Sequence, residues 1–180
     1  MLVQSLLTTL ILAGSALAAA IETSKSNVNS PPDFQPVFEE FGTVNVEEAT
    51  GVDPWSYLPP ARAGNRTETH TCITKNRPFE YHCRKAIDLW HKVANDKGNV
   101  ELSMGKCKSV TFGCCQSVLC ANMDFGIKVR VYELIGSAWS LIKSRCGPVG
   151  SGGVWEPAGW QFMVQVSRPH TGYCKRKPMD

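Results

Sequence analysis

The chain has no cysteine before Cys72, no Cys-x2-Cys pair at any position, and beyond its first eighteen residues no apolar run long enough to cross a bilayer. Each absence excludes something. Structural zinc sites want tight cysteine pairs, so the eight cysteines are expected to be disulfides, with no metal and no small-molecule cofactor. A transmembrane helix needs about twenty apolar residues, so the mature chain is expected to be soluble. Also missing are the Gly-x-Ser-x-Gly of a serine hydrolase, the His-Glu-x2-His of a zinc protease and the Gly-x4-Gly-Lys of a phosphate-binding loop. The glycine-rich stretch Gly150-Ser151-Gly152-Gly153 follows a helical pattern and leads into a strand, the reverse of a phosphate loop, and reads as a linker.

What is present at the start is an export signal. Residues 2–12 are apolar except for Gln4, Ser5 and two threonines, and Ala16-Leu17-Ala18 is the small-x-small pattern that a signal peptidase cuts after. Residues 1–18 are therefore read as a signal peptide and the protein as secreted. Residues 19–70 hold no cysteine, and their short apolar clusters (Phe34, Val37, Phe38, Phe41) settle into no period of 2 or 3.6. They are expected to form a largely disordered leader or pro-segment. Within it, Asn65-Arg66-Thr67 is an N-glycosylation sequon.

Charge divides along the same boundary. Residues 19–70 carry eight acidic groups against three basic ones, −5, while residues 71–180 carry sixteen basic against eight acidic, +8. An acidic leader ahead of a basic domain is the arrangement of a pro-segment that masks a cationic surface. A solubilising tail that stays attached is the plainer alternative, and no Lys-Arg pair between 19 and 70 marks a processing site.

Residues 71–180 are expected to form one cysteine-rich domain. Cys107, Cys114, Cys115 and Cys120 crowd into a fourteen-residue stretch, and Cys72, Cys83, Cys146 and Cys174 flank it at long range. Adjacent Cys114 and Cys115 should reach two different partners, because a disulfide prefers alpha carbons roughly 4.4–6.8 Å apart and neighbours across a trans peptide lie at about 3.8 Å. The full pairing is left open, since eight cysteines admit 105 pairings.

Cys83, Ala86, Ile87, Trp90 and Ala94 repeat at helical spacing, which predicts a helix over about 82–97 ended by Gly98. Val100, Leu102 and Met104 alternate, as do Lys108, Val110 and Phe112 after Gly105-Lys106, which predicts a hairpin. A short strand is expected over 117–121, with 113–116 as the turn or bulge that holds the cysteine pair. Ile127, Val129 and Val131 alternate, and the stripe Val131, Leu134, Ile135, Ala138, Leu141 and Ile142 predicts a second helix over about 131–145. A second hairpin joins Val154-Trp155-Glu156 to the strand 160–167. The order gives an α+β fold, two helices packed on one face of an antiparallel sheet in an α/β sandwich, stapled by disulfides. Trp90, Trp139 and Trp155 are read as core residues, Trp155 as the most exposed of them.

The run Trp139 to Arg145, then Cys146-Gly147, a glycine-rich loop, Gly159 ahead of the strand WQFMVQV and a last cysteine at Cys174 resembles the C-terminal half of small secreted fungal proteins of the killer-toxin and cysteine-rich effector type. The resemblance covers about forty residues and implies a secreted, non-enzymatic α/β sandwich, toxic to competing cells or active on a host. The adjacent Cys114-Cys115 pair and the long acidic leader depart from that pattern.

Functional candidates lie on the surface. Lys175-Arg176-Lys177 is a compact cationic cluster, and with Lys106, Lys108, Lys128 and Arg130 it composes a candidate basic face. Such a face attracts anionic membranes, cell-wall polymers, ion channels or nucleic acid. The alternative from another class is a small secreted hydrolase, above all a ribonuclease, for which Glu101, Arg130, His82, His91 and His170 supply the residue types. Their spacing selects none of them, and a catalytic cysteine is not expected where an even count can all be bonded.

Overall fold

The computed structural model describes residues 34–56, 58, 68–75, 77–147, 152–159, 161–170 and 174. The signal peptide 1–18, the leader as far as 33, the sequon asparagine Asn65 and the cluster Lys175, Arg176 and Lys177 lie outside the described residues. In chain order the strands are β1 (Val37–Gly42), β2 (Thr69–Ile73), β3 (Asn99–Leu102), β4 (Lys106–Phe112), β5 (Cys115–Ala121), β6 (Ile127–Arg130), β7 (Gly152–Glu156) and β8 (Phe162–Ser167). Six of them make one antiparallel sheet in the order β1-β4-β5-β8-β7-β2, and β3 pairs with β6 in a separate two-stranded ribbon. The fold class is α+β.

The leader is the first correction. Residues 34–56, expected to be disordered, contribute an edge strand and a short helix, α1 (Val46–Thr50), to the unit that begins at Phe34. Two facts explain the difference. β1 lies antiparallel along β4, Phe41 opposite Cys107 and Glu40 opposite Lys108, so its backbone is satisfied by pairing that no internal period advertises. Val46, Val52 and Leu58 then close over Ile73, Val118, Val154 and Met163. The boundary at 70/71 is not a boundary of the fold, and the described residues form three helices rather than two.

Helix α2 (Glu80–Asp88) buries Cys83 and Ala86, continues as a 3-10 turn over Leu89–Lys92 that buries Trp90, and ends there rather than at 97. Asn95 causes the early stop. Its side-chain oxygen accepts the backbone N–H groups of Lys97 and Asn99, and its own N–H donates to the Asn99 carbonyl, a local alternative to helix. Gly98, at φ +71°, serves that turn.

The second helix runs over 131–146, as expected, in three parts: Val131–Glu133, a π-helical segment Leu134–Trp139, and Ser140–Cys146. Both it and α2 join the cluster that also holds Val110, Leu119, Val164, Val166 and Trp155 from alternate positions of the sheet strands. Trp90 and Trp139 meet there with ring centroids 4.9 Å apart, and the Trp90 indole N–H donates to Ser117 Oγ at 2.7 Å. All three tryptophans are buried, Trp155 the least of them at 7% exposure.

The expected hairpin between 100–104 and 108–112 does not form. Both edges of β4 are occupied, by β1 and by β5, so β3 has no free edge to join there and pairs with β6 instead. The intervening turn is tied elsewhere, with Gly105 N–H donating to Asn122 and its carbonyl accepting from Thr43, each at 2.9 Å. β4 and β5 instead make a tight hairpin through Gly113, at φ +54°, and Cys114, and Cys115 is already the first residue of β5. The glycine linker is also corrected. Gly152 and Gly153 are the start of β7, and a Cβ on Gly152 would lie 1.8 Å from the Val166 carbonyl oxygen, so glycine is required by close approach of two strands. The hairpin β7–β8 is as expected.

Limited proteolysis tests the corrected boundary: the resistant product should begin upstream of Val37, and a product beginning near Thr71 would contradict the placement of β1. Val46→Ala, at 1% exposure, should lower unfolding free energy by roughly 2 kcal/mol, read by denaturant titration.

Candidate functional site

All eight cysteines are paired: Cys72–Cys146, Cys83–Cys115, Cys107–Cys120 and Cys114–Cys174. Adjacent Cys114 and Cys115 do reach different partners, as their geometry requires. Three of the bridges join parts that the chain keeps apart, and the fourth lies across a hairpin. Cys72–Cys146 ties edge strand β2 to the end of the second helix, Cys83–Cys115 ties α2 to β5, and Cys107–Cys120 links opposed residues of β4 and β5. Sequence separations run from 13 to 74 residues. On the loop-closure account such bridges contribute about 3 to 4.5 kcal/mol each.

His82 stands beside the cysteine turn. Its Nδ1 accepts the backbone N–H of Cys114 at 2.9 Å, and its ring packs among Phe34, Phe79, Tyr81 and Phe112, with centroids 4.9–5.9 Å away. Burial pushes its pKa below the ordinary imidazole value. A protonated Nδ1 cannot accept that N–H, so the neutral ring is the one the fold uses. This is a structural role for one of the candidate catalytic histidines. His91 is exposed, and His170 lies against Gly51, far along the chain from Glu101.

Glu101 on β3 and Arg130 on β6 are diagonal neighbours, since Glu101 faces Lys128 and Asn99 faces Arg130. Each is occupied. Lys128 Nζ lies 2.8 Å from Glu101 and, by hydrogen bond and charge, holds its carboxyl below the usual range, while Arg130 donates to Tyr132 Oη at 2.8 Å and stacks over that ring. Among the described residues no hydrogen bond, ion pair or ring contact joins a histidine to either, so the ribonuclease residue types are not brought together there.

The described residues of the candidate basic face fall on two elements. Lys106 and Lys108 are on β4, and Lys128 and Arg130 on β6, in the other sheet. Lys108 is met at 3.5 Å by Glu40 of β1, so an acidic residue of the leader does reach the basic domain, from inside the sheet. Sequence reasoning placed Met104 in an alternating strand, whereas it is an exposed turn residue, and missed the exposed apolar tips Val44, Met123 and Phe125. Nothing periodic marks these three, because each lies on a connection at one end of the strands.

Two concavities are relevant. A cleft between α2 and the second helix, lined by Ile87, Trp139 and Ile142, has a volume of only about 60 Å³, too small for an ordinary substrate. A groove of about 450 Å³ runs beside β6. No protein-family model, no curated protein and no solved structure matches this chain. Four disulfides in one chain are what an oxidising, extracytoplasmic compartment sustains. No helix among the described residues is long and apolar enough to cross a membrane.

Thiol titration of the denatured, unreduced protein should find no free sulfhydryl, and a non-reduced peptide map should return the four pairs above. The stability consequence of His82 follows from its lowered pKa. Below about pH 6.5 the unfolded chain takes up the proton more readily than the folded one, so stability is full above that pH and falls as the solution is acidified. The drop in Tm from pH 7.5 to 5 should shrink in His82→Gln, and an unchanged drop would remove His82 from the account.

Proposed function

We propose that this chain is a secreted, non-enzymatic effector or toxin-like protein, an α/β sandwich that acts by binding a target on a host or competitor cell. The observation that carries the reading is the cross-linking: four bridges use every cysteine and lock α2, the second helix and the central hairpin of a small domain. Such density of staples is the usual device of small proteins that must survive outside the cell. The export pattern at residues 1–18 points the same way. The residues that a small ribonuclease would draw on are held in structural contacts, His82 by Cys114 and Glu101 by Lys128.

The test applies the oxidised protein, produced through a secretory pathway, to fungal, bacterial and plant cells, and in parallel to RNA. Growth inhibition or cell death that is lost on disulfide reduction, with RNA left intact, is the expected outcome. RNA degradation abolished by His82→Gln or Glu101→Gln would overturn it in favour of the hydrolase.

A further inference from the structure

At the β6 edge backbone, charge and shape agree on a partner. Among the described residues β6 pairs only with β3. The Val131 N–H donates to the Gly98 carbonyl at 2.9 Å, and this fixes which residues face inward. Stepping along the register by two, Val129 with Val100 and Ile127 with Leu102 exchange hydrogen bonds with β3. The N–H and C=O of Lys128 and the N–H of Arg130 therefore point away from β3.

That outward edge borders the groove of about 450 Å³, whose far wall is Gly159 and Gln161 and whose end is marked by Phe125, 57% exposed. Side chains alternate along it. Ile127 and Val129 turn toward the core cluster, while Lys128, already paired with Glu101 at 2.8 Å but 60% exposed, and Arg130, whose hydrogen-bond partner Tyr132 is uncharged, face solvent.

We propose that β6 receives an extended segment of a partner protein by strand addition, the segment alternating acidic and apolar residues. The acidic positions lie opposite Lys128 and Arg130, on their face. The apolar positions lie opposite Val129 and Ile127, the latter also meeting Phe125. Main-chain hydrogen bonds supply affinity in this mode and alternate side chains supply specificity. A second copy of this chain is a poor occupant, because antiparallel pairing of two β6 edges opposes cations to cations. A third strand also completes a ribbon that, with two strands, depends wholly on packing for its stability.

The inference rests on the reading of this chain as a binding protein and deepens it by naming the partner's chemistry. The experiment uses the full disulfide-bonded chain, isotopically labelled, with a capped hexapeptide of alternating glutamate and valine as the probe. Expected are amide shifts over 125–130, slowed hydrogen exchange at Lys128 and Arg130, and affinity reduced roughly tenfold or more in Arg130→Glu, which in turn favours a lysine-valine hexapeptide. A second probe, the same peptide N-methylated at the amides that would pair, keeps the charge and cannot extend the sheet, so it should not bind. Binding of the methylated peptide equal to the parent reduces the surface to charge attraction and overturns the proposal. So does binding mapped to β1 or β2, or no binding at about 1 mM peptide; Lys128 and Arg130 are then guards against edge pairing. Peptide binding by a protein inert on cells would sink the effector reading alone, and cell activity without peptide binding would sink this one alone.

Discussion

Two adjacent cysteines at the tip of a hairpin bind the molecule together. Gly113 and Cys114 make the turn, and Cys115 opens β5 with its side chain on the face that α2 covers, where it meets Cys83. Cys114, one residue earlier and in the turn, is free to reach Cys174 near the end of the chain. A covalent tether to a helix and another to the C-terminal region thus leave from consecutive residues. The turn is seated by His82, whose ring fills the space above Gly113 so closely that a Cβ there would lie 2.7 Å from Nδ1. Glycine at 113 therefore answers two demands at once, a positive φ and a close neighbour.

Around that hairpin the sheet is buried on both faces, which accounts for most departures from the alternating pattern. Every residue of β5 is buried. The face away from α2 holds Val118, Cys120 and Met163 beneath the segment 46–58, and beside them the buried polar side chains Ser109, Gln116, Gln165 and Ser167. Gln116 donates to Ser109 Oγ and Gln165 to Ser167 Oγ, so their amide nitrogens are satisfied, while Gln116 Oε1 and Gln165 Oε1 find no partner among the described residues.

Function, on this reading, follows from rigidity. The central sheet, the helices and the terminal cysteine form one cross-linked body, so the surfaces free to engage a partner are edges and turns. The two-stranded ribbon β3–β6 is the element least tied into the sheet, with no disulfide of its own. It carries two of the cations on which a target's charge would act.

The sequence by itself determined what is local or chemical. Cysteine number and spacing implied disulfides and disfavoured a bond between Cys114 and Cys115. The 3.6-residue stripe from Val131 to Ile142 marked the second helix, and the strict alternation through Phe162, Val164 and Val166 marked β8. Only the tertiary structure decided which strands neighbour one another. Strand β3 is a strand in either arrangement, but β1, an unremarkable stretch of an acidic leader, fills the edge of β4 and sends β3 to β6. The burial of Val46 and Leu58 beside β1, and the pairing that leaves the outward edge at Lys128, go with that arrangement. Pairing partners are chosen by hydrogen-bonding edges left open after the rest of the chain has packed, and a residue's own neighbours in sequence carry no record of which edge that will be.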